Sequence, residues 1–254
     1  MNQLDRQTDQ AKTAPGPSVP TIPSVERRRF LRQLGLVSAS TAAFLAACTR
    51  EPAIDPKTGQ AQARLGADIL PDGTIDLGSD DIGIANLAYA LDQLETAFYA
   101  TALEKGTSLP AQDRKVLAEL HDHEVVHREF FKAFLAGFAI PTLDFDFSTI
   151  DFANRYAVFD AAQQFENVGV AAFNGTGPLI HDVEVLKIAG KMVSIEARHA
   201  TLARHMIAPK MPFTLSHELI NAQGLDWALT PAEVVAKAQA HIKQKLSVAN
   251  LPMY

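Results

Sequence analysis

Two short motifs carry the residues most able to do chemistry, Glu124-Val125-Val126-His127 and Glu196-Ala197-Arg198-His199. Each is Glu-x-x-His within a helix-like stretch, and residues three apart on a helix project from one face. Each has a lone glutamate about one helix upstream, Glu95 for the first and Glu166 for the second, at nearly equal spacing. Two such pairs and two single glutamates form the ligand set of a carboxylate-bridged two-metal centre inside a four-helix bundle.

Charge explains why the chemistry wants these residue types. All four glutamates fall on apolar faces, where an unpaired carboxylate protonates rather than stay charged. Two divalent cations balance four carboxylates, and two histidines bind as neutral imidazoles without disturbing the balance. Carboxylate-rich coordination with one imidazole per ion suits iron or manganese. A metal-free bundle is the other reading, with the glutamates reaching solvent or pairing with Arg128, Arg198 and Arg204. A rival motif overlaps the first pair: His123-Glu124-Val125-Val126-His127 is His-Glu-x-x-His, the zinc-protease pattern. That reading leaves Glu95, Glu166, Glu196 and His199 without a role, which makes His123 a face histidine or a partner behind the ligands. Tyr99, four residues after Glu95, reads as a packed core residue or as a hydrogen-bond or redox partner near the metals. Asp92 reads as a partner behind the ligands or a solvated residue. His121, His181, His205, His217 and His241 follow no usable pattern.

Four long helices must position these groups. The first is expected from near Asp80 to Glu104, with Ala88, Leu91, Glu95, Phe98 and Ala102 on one face. The second starts at Pro110 and ends near Gly137, with Leu117, Leu120, Glu124, His127, Phe131 and Phe134 inward. After a longer connection through Pro141 to Asp151, the third runs from about Phe152 to Phe173 and stops at Asn174-Gly175. Its inner face carries Phe159, Ala162, Glu166, Gly169, Val170 and Phe173. The fourth runs from about Pro178 to Ala208, with Ala189, Met192, Glu196, His199, Ala203 and Met206 inward. Thr230, Pro231 and Glu233 form a capping box that starts a short fifth helix outside the bundle. No stretch reads as a strand. The expected fold is all-α: a four-helix bundle with one long crossover connection plus a short C-terminal helix.

The 254-residue chain opens on an apparent export signal. Arg27-Arg28-Arg29-Phe30-Leu31 fits a twin-arginine pattern, and the apolar run Leu34 to Ala47 is too short to span a bilayer. Leu45-Ala46-Ala47-Cys48 looks like a lipoprotein cleavage box, so Cys48 is the expected lipidation site and a membrane tether. Cys48 is also the one cysteine, which excludes an intramolecular disulfide. The expected organisation is a signal over 1–47, a flexible tether over 48–78, the bundle over 79–210 and a C-terminal extension over 211–254. The expected location is the periplasm or cell envelope, membrane-anchored. Losing the signal takes the formal charge from −6 to about −9, with no basic stripe, which argues against a nucleic-acid partner.

Four segments carry a family resemblance: Asn86-Leu87-Ala88-Tyr89-Ala90-Leu91 with Leu94-Glu95 and Phe98-Tyr99; His123-Glu124-Val125-Val126-His127; Phe165-Glu166-Asn167-Val168-Gly169-Val170-Ala171-Ala172; and Ile195-Glu196-Ala197-Arg198-His199-Ala200. Together they resemble the ferritin-like domain family over about Asp80 to Met206, in the branch that includes plant and bacterial desiccation-related proteins. The resemblance implies a ferritin-like bundle with two iron or manganese ions as cofactor. All six ligand positions, Glu95, Glu124, His127, Glu166, Glu196 and His199, are filled. It does not select a substrate, because the fold hosts several chemistries. The leading expectation is an exported redox enzyme acting on O2 or hydrogen peroxide, with Glu95 and Glu124-His127 mainly on one metal and Glu166 and Glu196-His199 mainly on the other. By analogy with the fold, Glu124 and Glu196 are the bridges. The alternative is a non-enzymatic metal-binding or stress-protective envelope protein. Oligomeric state stays open.

Overall fold

The structure is a computed structural model that describes residues 66–208 and 220–253. The signal, Cys48, the tether as far as residue 65, and His217 lie outside the described residues. The long helices are α1 (Asp80–Lys105), α2 (Ala111–Leu135), α3 (Arg155–Thr176) and α4 (Val183–Ile207), with the short α5 (Pro231–Ala238) after them. The expected all-α bundle with a short C-terminal helix is what forms.

Helix ends follow local chemistry. The Asn154 side chain accepts from the backbone N–H groups of Tyr156 and Ala157, and Asp182 does the same for Glu184 and Val185. These caps satisfy amides that a helix start leaves without partners. They also correct two expected boundaries. The third helix starts after Phe152, and the fourth starts after Pro178, which instead lies in a 3-10 turn over Gly177–Leu179. The expected stop at Asn174-Gly175 is also displaced, because α3 continues to Thr176. Gly175 serves a different purpose: a Cβ there would collide with the backbone of Leu229, whose N–H donates to Ala171 O. The capping box of α5 forms as expected, with Thr230 and Glu233 each accepting from the other's backbone N–H.

Cross-links between helix ends establish the topology. Asp81 at the start of α1 accepts from the N–H groups of His181 and Asp182 at the start of α4. Arg155 at the start of α3 pairs with buried Asp113 at the start of α2 and donates to Met206 O at the end of α4. The starts of α2 and α3 therefore lie at one end of the bundle. The connection over 139–154 must run back along the full length of α2, on the order of 37 Å for 25 residues. This is the long crossover.

The crossover packs onto α1. Buried Asn86 donates from Nδ2 to Leu77 O and Phe138 O and accepts from Ile140 N–H, and Gln93 Oε1 accepts from Leu143 N–H. Phe147 and Phe152 of the crossover close on Phe98, with ring centroids 5.8 and 6.0 Å apart. With partners on every side, α1 is buried nearly all round, as a helix apolar on all faces must be.

Two expectations fail at the edges. The stretch before α1 is not all tether. Strands β1 (Asp68–Ile69) and β2 (Ile75–Asp76) pair antiparallel, and β2 pairs parallel with β3 (Leu246–Ser247) of the C-terminal extension. Ile75 and Leu77 are buried in the core, so residues 68–78 belong to the fold. These strands of two residues each are too short for a period-two pattern, and their pairing is non-local, which is why no strand was expected. The extension is integral too: Val234, Ala238, Ile242, Leu246 and Leu251 join the main core.

Candidate metal centre

Each long helix delivers its part of the motif to the bundle interior. Glu95 comes from α1, Glu124 and His127 from α2, Glu166 from α3, and Glu196 and His199 from α4. All six are buried, at 7% exposure or less. His199 Nδ1 lies 2.7 Å from Glu124 Oε1 and 3.4 Å from Glu166 Oε2. His127 Nδ1 lies 2.9 Å from Glu196 Oε1 and 3.5 Å from Glu124 Oε2. The motif on α2 thus reaches the motif on α4 in both directions.

The donor atoms fall into two overlapping groups. One is Asp92, Glu124, His127 and Glu196; the other is Glu124, Glu166, Glu196 and His199. Within each, the ligand atoms lie within 4.8 Å of one another. Glu124 and Glu196 belong to both. Neither group includes Glu95, which sits beside Gly169: a Cβ on that glycine would be 3.4 Å from Glu95 Oε1 and 3.2 Å from Glu196 Oε2.

Metal ions fit these residues. Both oxygens of Glu95, Oε2 of Glu196 and Oδ2 of Asp92 are buried with no partner, and Nδ1 of His127 and of His199 has only the carboxylates of Glu124, Glu166 and Glu196 as partners. Buried polar atoms are nearly always paired, and an isolated orphan costs about 1–3 kcal/mol. Here they face one another in a small volume, as lone pairs turned toward a common ion would. Among the described residues no arginine forms an ion pair with them: Arg128 pairs with neighbouring Glu129, Arg198 is exposed, and buried Arg204 on α4 has no ion pair to these carboxylates.

Burial and mutual charge shift the proton equilibria of the buried groups. Burial, the largest effect on the His127 ring, acts downward, but Glu124 and Glu196 together outweigh it and raise His127 to about 11. Glu124 and Glu166 likewise outweigh burial and raise His199 to about 10. Burial, with the charges of Glu124 and Glu196, raises Glu166 to about 8. Burial pushes Asp92 and Glu95 well above the usual carboxylate range, with Glu124 adding to it.

Two residues weighed as packing or partners act at the ligands. Tyr99 is fully buried and donates its O–H to Glu166 Oε1 at 2.6 Å. Burial and the charge of Glu166 hold it well above the ordinary phenol value, so it stays a donor. His123 is exposed, and its Nδ1 lies 2.9 Å from Nε2 of His199, the nitrogen facing away from the centre. The zinc-protease arrangement, with His123 and His127 on one ion, is not formed. Asp92 is 1% exposed and stands within the ligand set, not in solvent. Its signal was present in the sequence: three residues before Glu95, it shares that face of the helix. Of the remaining histidines, His121 pairs with Asp122, His181 is exposed near Asp81, and His241 packs edge-on to Phe165.

Residues 80–209 match the family profile of the ferritin-like domain. The chain belongs to that family. The match covers all four long helices of the ferritin-like bundle and ends two residues past α4. No curated protein matches the sequence closely enough to add a relative. A buried carboxylate and histidine cluster that could hold metal ions thus lies inside a ferritin-like bundle.

Proposed function

We propose that this ferritin-like protein holds two iron or manganese ions in a carboxylate-bridged centre and performs redox chemistry on O2 or hydrogen peroxide. The observation that carries the proposal is the pair of overlapping donor groups with Glu124 and Glu196 in common. A carboxylate common to two sites is what a bridge requires. Iron or manganese, when bound, would supply the electron transfer. The chain's own residues do the rest. His127 and His199 present Nδ1 to the interior, Tyr99 fixes Glu166 in one orientation, and near-complete burial keeps bulk water from the ligands. Gly169, lacking a side chain, lets Glu95 and Glu196 pack closely against α3.

Export by the twin-arginine route and anchoring through lipid on Cys48 belong to the same proposal, as does membership of the desiccation-related branch. That route carries folded proteins, which suits a metal loaded before export. Replacing Arg27 and Arg28 by lysine should retain the protein in the cytoplasm; normal export of that variant refutes the route. The activity is tested by ferrous-oxidation and peroxide-consumption assays on metal-loaded protein. Turnover that depends on iron or manganese is the expected result. Full loading with no turnover in either assay favours the non-enzymatic reading, metal binding or envelope protection.

A further inference from the structure

We propose that Asp92 is a metal ligand of the centre, on the side of His127. The inference rests on the two-metal reading above. Asp92 and Glu95 are three residues apart on one face of α1, and both are 1% exposed. Asp92 Oδ2 has no hydrogen-bond partner, and the side chain offers an oxygen within 4.8 Å of donor atoms from Glu124, His127 and Glu196.

Symmetry supports the assignment. The group around His199 has one histidine, the two shared glutamates and Glu166 as its remaining carboxylate. The group around His127 has one histidine, the same two glutamates and Asp92 in the corresponding place. Asp92 therefore completes on one side what Glu166 completes on the other. It does so with a shorter side chain, and one helical turn displaced along α1 from Glu95.

Glu95 then becomes the carboxylate without a counterpart. Three residues beyond Glu166 on α3 stands Gly169, with no side chain at all, directly beside Glu95. The centre has five carboxylates, two from α1 and one each from α2, α3 and α4. Two divalent ions leave it one carboxylate beyond charge balance, Glu95, which belongs to neither donor group.

The test is titration of the metal-free full-length protein with Mn(II), followed by electron paramagnetic resonance and by equilibrium metal analysis. Wild type should take up about two Mn(II) and give the signal of a magnetically coupled pair. Asp92→Asn should weaken one of the two sites by roughly tenfold or more and diminish the coupled signal. Asp92→Ala should do the same, and circular dichroism should show both variants folded. Should the asparagine variant fail to fold, the alanine variant carries the test alone. Two wild-type affinities with an unchanged coupled signal in a folded variant overturn the assignment. If wild type itself takes up no Mn(II) or Fe(II), the two-metal reading fails, and the variants are then not needed to judge it.

Discussion

The two helical hairpins carry the same motif in different settings. In α1, 17 of 26 residues are buried, because the crossover and the small sheet cover the face turned away from α2–α4. In α4, six of 25 are buried, and two of those six are Glu196 and His199. α1 is thus an interior helix whose position is held by polar links on its far side, from Asn86 and Gln93 to the crossover backbone. α4 is an outer helix, tied to the bundle at its ends through Asp81 and Arg155 and along its length by the face that carries the ligands. Matching ligand spacing therefore does not mean matching mechanics. Metal should stiffen α4 more than α1.

The largest expected effect separates shared from one-sided ligands. Glu124→Ala removes a donor common to both groups, so uptake of both ions should collapse, whereas Glu166→Gln should spare the His127 side. Metal analysis after dialysis checks this, and equal loss in the two variants would erase the distinction between the sides. Next in size is Asn86→Ala, which leaves Leu77 O, Phe138 O and Ile140 N–H without their buried partner. It should lower stability by about 3 kcal/mol by thermal or denaturant unfolding. Asn174→Ala, at an exposed contact to Trp227 O, should stay within about 0.5 kcal/mol.

The metal-free protein should lose stability as pH rises. Glu166, raised to about 8, folds at no ionisation cost below its unfolded value of 4.5 and at increasing cost between 4.5 and 8. His127 and His199, raised to about 11 and 10, add stability below 6.5 that disappears as pH climbs toward those values. Both act in one direction. The melting temperature in chelator should therefore fall steadily above about pH 5, while the loaded protein should change little until metal is lost. A flat profile without metal would contradict these shifts. Among the site variants the smallest effect is expected from Tyr99→Phe, which leaves Glu166 Oε1 without its donor. It should weaken the ion on the His199 side by roughly tenfold while leaving the fold intact.

Much of the centre was legible because its constraint is local and repeated. Glu-x-x-His places two donors on one helical face, and the second copy with Glu95 and Glu166 specifies a bundle interior. Asp92 was read less well, since an acidic residue on a helix is usually solvated. Position 92 is interior because α2 and α4 close over the face it shares with Glu95, while the sheet and crossover cover the rest of α1. Those contacts are non-local: β2 pairs with β3 from the far end of the chain, and Asn250 reaches Asp76. Strands of two residues leave no periodic trace, so the tether was drawn too long. The start of α5 was legible because a capping box is written within four residues.

The most direct test of the central claim is the metal content of the purified full-length protein and its Glu196→Ala variant, measured under air after dialysis. The account predicts about two iron or manganese ions per wild-type chain and almost none in the variant. A folded variant that keeps the wild-type metal content would contradict it.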